Sequence, residues 1–263
     1  INTISDMVMM GQRKLHSTQY GIICPVETPD GGNIGIKKHL TIMGHITFGC
    51  SSQPIIDALY EYDTIRLVDI TPEDVVNSCK VMVNGRWIGI HDEPKILVET
   101  LRLLRRNGLI NIFTSIAWNI DSNEVSILTD GGRCCRPLYI VKDNKVLLTQ
   151  EILDGIDNKK LGWENIITGF KKKKTPLDYY NCNYLCPADE NFSETNTLDD
   201  LEKNQSICEF LDTDEINTCL ITSNFDLSDT SSKYTHCEIH ASLIMGALGF
   251  TIPYCNQSQA PRN

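Results

Sequence analysis

Residues 79–106 read CKVMVNGRWIGIHDEPKILVETLRLLRR and indicate a β-hairpin followed by a helix. Two apolar and β-branched stretches, at 79–83 and 86–90, flank Asn84-Gly85, a dipeptide that favours the type I′ turn of a two-residue hairpin. Over 94–106 the apolar residues recur at three- and four-residue spacing, which predicts an amphipathic helix with one buried face. The stretch therefore predicts the centre of an α+β module.

Further short elements are predicted on both sides of this module. Helices are expected over 55–62 and over 72–77, the second with Thr71 as its N-cap. Strands are predicted at 40–48, 115–119, 124–128, 137–142, 207–211 and 218–222, and helical spacing at 241–249. The predicted fold class is α+β, a multi-domain slice with mixed antiparallel sheets and short helices.

The composition is that of a globular chain, with 263 residues of which 41% are hydrophobic and 22% charged. No apolar run approaches the ~18 residues that a membrane span needs, and no secretory signal pattern is present, so we expect neither membrane insertion nor secretion. The eleven cysteines include no C-x-x-C pair, which favours a reducing compartment over a disulfide framework and predicts no zinc site.

Negative charge is concentrated in one region of the chain. The net charge is −10, and residues 187–230 hold twelve acidic residues against one lysine, so the remainder is close to neutral. A negatively charged partner would have to avoid this stretch. We expect it to form the exposed outer face of a domain.

A loop rich in Gly and Pro at 11–36 carries two cations and two carboxylates between 13 and 30. Pro stiffens such a loop, and Gly permits tight turns and the close approach of a partner. By composition alone, an ordinary structured turn with solvated charges is the simpler interpretation. A second candidate, His236 and His240, has the spacing of a helical metal pair, but Cys237 stands where the zincin motif requires Glu. A packed histidine pair is the simpler interpretation there.

Seven motifs, in their order along the chain, resemble the second-largest subunit of multisubunit DNA-directed RNA polymerases, the β subunit in bacteria. The first is RKLHSTQYGIICPVETPDG at 13–31, which follows that family's Arg, His, Cys-Pro and acidic-Gly signature. The other matches lie at residues 83–89, 99–106, 129–138, 209–212, 235–240 and 259–263. The pattern is closer to the eukaryotic, archaeal and large-DNA-virus branch than to the bacterial one.

The resemblance implies an internal fragment of that subunit in four parts. Residues 1–49 would form part of the fork region and 53–113 a first external domain. A second external domain would span 115–230, with an acidic insert at 187–230. The range 234–263 would begin the hybrid-binding region.

The resemblance also implies roles for single residues near the active centre. Arg262 matches an arginine that contacts the triphosphate of the incoming nucleotide, a role suited to a planar fork of donors. Asp30, Glu27 and Gln259 would support the active centre, although Asp30 stands where many relatives have Glu. No residue of this segment is expected to be catalytic by itself.

Nucleic acid would be contacted by Arg13, which matches a fork arginine near template or hybrid, and by the neighbouring cation Lys14. The implied cofactor is Mg²⁺, held mainly by the largest subunit, whose aspartate triad is absent from this sequence. The implied partners are the largest and other polymerase subunits, template DNA, the RNA–DNA hybrid and a nucleoside triphosphate. The implied location is intracellular: the nucleus, or the cytoplasm or virion for a virus.

Two alternatives remain open. In the first, the chain is a structural or docking module for other subunits or factors and touches no substrate. In the second, it is a metal-dependent hydrolase built on His236 and His240.

Overall fold

A computed structural model describes residues 11–29, 36–170, 198–225, 233–255 and 257, and the fold is given for these ranges.

The hairpin predicted at the centre of the chain is confirmed. Its strands are β3 (Cys79–Val83) and β4 (Arg86–His91), which pair antiparallel. Asn84 and Gly85 have φ angles of 49° and 74°, the positive values that a type I′ turn requires at both central positions.

This hairpin lies inside a sheet of the described residues with the strand order β2-β4-β3-β6-β5. The added strands are β2 (Ile65–Arg66), β5 (Ser115–Asn119) and β6 (Glu124–Leu128). Strands β3 and β6 are parallel, whereas β5 and β6 form an antiparallel hairpin. The sheet therefore continues across 113–115, where the sequence predicts a boundary between two external domains.

Helices α1 (Gln53–Glu61), α2 (Pro72–Asn77) and α3 (Pro94–Arg106) belong to the same region. Proline occupies the first turn of each, and Thr71 is the N-cap of α2 as predicted, where it forms a capping box with Asp74. The apolar faces of α1 and α3 pack on the sheet around a core that includes Ile55, Leu59, Val81, Ile90, Leu97, Leu101, Ile116, Val125 and Ile127.

A second sheet is built around the long strand β7 (Cys134–Lys142). Its neighbours are β1 (His45–Ile46), β8 (Lys145–Val146), β9 (Cys208–Asp212) and β11 (His236–Cys237), all antiparallel to it. Strand β10 (Ile221–Thr222) pairs parallel with β11. Strand β7 thus holds together segments from both ends of the chain.

The remaining helices are α4 (Gln150–Asp157), α5 (Trp163–Thr168), α6 (Leu198–Lys203), α7 (Thr213–Asn217) and α8 (Ala247–Thr251). The sequence did not predict α4 to α7, which are short. Throughout the described ranges, no helix combines the length and apolar character needed to span a bilayer. The mixed sheets and short helices confirm the α+β fold class.

Three predicted elements were wrong in extent. Only His45–Ile46 of the predicted strand 40–48 is strand. The Gly44 amide donates to the Thr41 carbonyl and forms a turn before it, and Phe48 is exposed after it. In the predicted strand 218–222, Thr218 caps α7 and leaves only β10. The predicted helix at 241–249 is divided at Gly246 into a 3-10 turn and α8.

Candidate functional site

The amino-terminal loop is held in place by backbone pairing with residues 39–41. His16 caps a short 3-10 turn by accepting the Thr18 amide at 3.3 Å. After the turn, the Cys24 amide donates to the His39 carbonyl at 2.8 Å, and the Thr41 amide donates to the Ile22 carbonyl at 2.9 Å. Loop 11–29 is therefore an ordered part of the fold in spite of its Gly and Pro content.

The same loop packs against the carboxyl-terminal part of the chain, residues 238–255, here called the C-terminal segment. Ile42, which follows the paired residues, donates its amide to the Met245 carbonyl at 2.9 Å. A Cβ placed on Gly246 would meet Glu27 Oε2, and it would lie 3.1 Å from the Leu40 carbonyl oxygen. Absence of a side chain at 246 thus allows the two segments to touch.

A buried ion pair also joins the loop to the C-terminal segment. Arg136, on β7, is 3% exposed, and its Nη1 lies 2.8 and 2.7 Å from the two carboxylate oxygens of Glu238. The other side of the guanidinium faces Tyr20, with 5.3 Å from Cζ to the ring centroid, and Gly21. Burial, followed by the nearby Glu238 carboxylate, raises the pKa of Tyr20.

The described residues include three of the six predicted site residues. Glu27 is half-buried at the contact with Gly246, and Lys14 is exposed. Arg13 is only 3% exposed, so its side chain is buried next to the exposed Lys14.

The other three predicted site residues, Asp30, Gln259 and Arg262, lie outside the described residues.

A larger buried ionic network links α3 to β9 and α7. Arg105, 1% exposed, donates from Nη1 to Glu215 at 2.9 Å and from Nη2 to Glu209 at 2.8 Å. Arg106 adds a 2.7 Å contact to Glu209, and Arg133 a 2.7 Å contact to Asp212. The charges are paired, which is the condition under which buried ions are tolerated.

This network corrects, for three of its carboxylates, the expectation that residues 187–230 form an exposed acidic face, while Asp199, Glu202 and Asp214 are exposed. Glu209, Asp212 and Glu215 are buried at 3%, 4% and 0% exposure and are paired with arginines. The sequence signal was a predicted strand at 207–211 with a carboxylate in its middle. A second signal was the arginine-rich end of α3.

His236 extends the network into β11. Its Nε2 lies 2.8 Å from Glu209 Oε1. Burial alone lowers the pKa of His236, but the contacts with Cys219 and Glu209 have the larger combined effect and raise it to about 9. Burial raises the pKa of Glu209, but Arg106 and Arg105 lower it further, so it lies well below its ordinary value.

His236 and His240 make separate hydrogen bonds within the protein and do not face a common ligand. His240 is exposed and accepts the Ser242 amide at 3.2 Å, whereas His236 is buried against Glu209. Within the part of the chain that the structure describes, no group of three His, Cys, Asp or Glu side chains is arranged to hold a metal ion.

A separate cavity of about 690 Å³ opens between the β5–β6 turn and α7. Its charged lining consists of the carboxylates Asp121, Glu124 and Asp214, and no lysine or arginine is among the residues that line it. Because phosphate recognition depends on cations and N–H donors, this cavity is unsuited to a nucleotide.

Comparison with known proteins relates the amino-terminal and central parts of the chain to one family. The family described as RNA polymerase Rpb2, domain 3, matches residues 2–46, and that described as RNA polymerase Rpb2, domain 4, matches residues 81–142. The first range includes all of loop 11–29, and the second runs from β3 through β7.

Individual relatives match nearly the whole chain. The RNA polymerase II subunit RPB2 of Encephalitozoon cuniculi is 34% identical over 95% of this chain and 20% of its own length. RNA polymerase subunit 2 of Acanthamoeba polyphaga mimivirus is 30% identical over 98% of the chain and 21% of its own length. The Rpo2 subunit of Sulfolobus acidocaldarius is 30% identical over 95% and 20%.

The chain thus spans about a fifth of the length of the curated relatives it matches. These relatives come from a eukaryote, an archaeon and a large DNA virus, which agrees with the branch that the motifs indicate. By its motifs, its matched domains and these relatives, the chain belongs to the family of second-largest subunits of multisubunit DNA-directed RNA polymerases.

Proposed function

We propose that the chain helps to form the active-centre cleft of a DNA-directed RNA polymerase, where template DNA, RNA and the incoming nucleotide are held. The observation that carries this proposal is the contact between loop 11–29 and the C-terminal segment, at Glu27 and Gly246. The family signature at 13–31 overlaps loop 11–29, and the arginine motif at 259–263 comes shortly after the C-terminal segment in the sequence. The contact supports the proposal because it joins the two described segments that adjoin these motifs along the chain.

In the proposed site, Arg262 contacts the triphosphate of the incoming nucleotide. A guanidinium offers several fixed donors to phosphate oxygens and stabilises the charge that develops as pyrophosphate leaves. Asp30 and Gln259 support the active centre. Glu27 acts as a brace, a role favoured by its half-buried position against Gly246.

Lys14 is the better candidate for contact with template or hybrid, because its side chain is exposed next to the buried Arg13. Phosphate contacts by such a cation add affinity that depends on salt but not on sequence.

The activity belongs to the assembled enzyme. Mg²⁺, held mainly by the largest subunit, supplies charge stabilisation to the transferring phosphoryl group when bound. The proposed partners of this chain are the largest and other polymerase subunits, template DNA, the RNA–DNA hybrid and a nucleoside triphosphate. The proposed location is intracellular: the nucleus, or the cytoplasm or virion for a virus.

A docking module without substrate contact is the second candidate. Several large apolar side chains are exposed near the contact of the two segments, which favours a surface covered by other parts of a complex: Ile42, Ile46, Phe48, Leu248, Phe250 and Tyr254.

The two candidates differ in the effect of Arg262→Ala in the assembled polymerase. The cleft proposal predicts that the apparent KM for nucleoside triphosphate rises about tenfold or more, the effect of one lost charge-assisted contact. Arg66→Ala, at an exposed arginine on β2, is the control with no expected change. A normal KM in Arg262→Ala would leave only the docking module.

A further inference from the structure

We propose that Arg136 is a positioning residue of the polymerase site. Its guanidinium fixes the turn at Gly21 to Glu238 and so sets the position of loop 11–29 relative to the C-terminal segment. The effect on nucleotide binding rests on the proposed function, whereas the effect on the position of the loop does not.

The geometry of Gly21 shows that the loop is shaped around this arginine. Gly21 has a φ of 71°, which favours glycine, and a Cβ at this position would collide with the guanidinium of Arg136. The carbonyl of Gly21 accepts the Thr41 hydroxyl at 2.9 Å, so the turn is fixed from its other side as well. Arg136 therefore occupies the space that any other residue at 21 would fill.

The hydrogen bonding of Arg136 suggests a role beyond stability. Its Nη1 binds both oxygens of Glu238, but Nε and Nη2 are buried without a hydrogen-bond partner among the described atoms. Leaving buried donors unsatisfied is costly, and such groups are concentrated where geometry serves function. Arg105 also has a buried Nε without a partner, but both of its terminal nitrogens have carboxylate partners, whereas Nη2 of Arg136 has none.

A short chain of contacts carries the position of this turn to the C-terminal segment. Ile22 follows Gly21 and accepts the Thr41 amide, and the adjacent Ile42 donates to Met245 at 2.9 Å. A displaced turn would therefore loosen the Ile42–Met245 hydrogen bond, which directly joins the two segments.

Hydrogen exchange in the full subunit within the assembled polymerase tests the positioning role without reference to nucleotide. In Arg136→Gln we expect the Ile42 amide to exchange about tenfold faster, because its hydrogen bond opens more often. The control is Arg105→Gln, at an arginine that is equally buried and ion-paired but does not contact loop 11–29. It should leave exchange at Ile42 unchanged. Equal protection of Ile42 in wild type and Arg136→Gln would overturn the proposal.

Steady-state elongation then tests the consequence for nucleotide. We expect Arg136→Gln to raise the apparent KM for nucleoside triphosphate about tenfold and to change kcat by less than about twofold, because the residue positions a binding contact. Arg105→Gln should lower the amount of active enzyme and leave KM as it is. The same rise in KM in both variants would reduce Arg136 to a stabilising residue.

The two failures are distinguishable. If Arg262→Ala leaves KM unchanged, the proposed function fails, whatever Arg136→Gln does. If Arg262→Ala raises KM and Arg136→Gln does not, only the positioning role fails. Should Arg136→Gln not assemble, Arg136→Lys replaces it, since it keeps the charge near Glu238 but lacks the planar fork, and the same results decide.

Discussion

The carboxylate of Glu27 fills the space that a side chain on Gly246 would need. Two parts of the chain separated by more than two hundred residues are thereby held in contact. Because the Leu40 carbonyl and Cys24 Cβ lie 3.1 and 3.2 Å from the position of a Cβ, a side chain at 246 would require the Glu27 carboxylate and its surroundings to shift.

Gly246→Ala should therefore destabilise the chain. Overpacking of this kind costs about 1 to 3 kcal/mol of unfolding free energy. Thermal and denaturant unfolding of the variant measure it. Gly249→Ala is the matched control, since its Cβ would lie 3.4 Å from Cys24 Sγ, an ordinary contact, and alanine favours the helix. Equal stability of the two variants would contradict the contact.

Gly21→Ala should cost more than Gly85→Ala. Both residues have positive φ, 71° and 74°, so both substitutions strain the backbone by about 1 kcal/mol. At Gly85 nothing lies within reach of the new methyl group, whereas at Gly21 it displaces the Arg136 guanidinium. The difference in unfolding free energy between the two variants measures that displacement, and no difference would mean that Arg136 does not lie against the turn.

Neutralising single carboxylates of residues 187–230 should lower the unfolding free energy strongly where the carboxylate is buried and weakly where it is exposed. Glu215→Gln leaves Arg105 partly uncompensated in the core and should cost about 3 to 5 kcal/mol of unfolding free energy. Glu202→Gln breaks only the exposed pair with Lys142 and should cost less than about 1 kcal/mol. Similar losses in the two variants would contradict the burial of Glu215.

Stability should fall as pH rises from about 6.5 to about 9. The pKa of His236 is about 9 in the folded chain and 6.5 as the ordinary value. A raised pKa means that the folded state binds the proton more tightly, so the stabilisation is complete below pH 6.5 and is lost as pH passes 9. The full effect is about 3 kcal/mol.

His236→Gln should abolish this part of the pH dependence of the unfolding free energy. The control is His240→Gln, at an exposed histidine outside the buried network, which should retain the wild-type slope between pH 6.5 and 9. A slope that persists in His236→Gln would assign the proton to another group.

The parts of the fold that the sequence predicted are those with strong local signals. The Asn84-Gly85 turn requires positive φ at two positions, and the apolar spacing over 94–106 has one helical interpretation. The hairpin therefore matches its predicted bounds to within one residue, and α3 has the predicted bounds. Short helices such as α4 and α5 lack such signals, because tertiary packing decides whether they form.

The ionic network could not be predicted because its partners are distant in sequence. Arg105 and Glu215 are 110 residues apart, and no local pattern indicates which arginine a buried carboxylate will meet. The family motifs at 129–138 and 235–240 include Arg136 and Glu238, but the resemblance predicted no role for either residue. Their pairing depends on the register of β7 against β11.

The contact of loop 11–29 with the C-terminal segment in the working enzyme can be tested directly by a disulfide between Cys24 and Gly249→Cys. The Cβ position at 249 lies 3.4 Å from Cys24 Sγ, close to the separation that a disulfide requires. In the assembled polymerase, we predict that mild oxidation forms this bond, identified by peptide mapping, and that elongation keeps its normal KM for nucleoside triphosphate. Failure of the bond to form, or loss of elongation when it forms, would contradict the account.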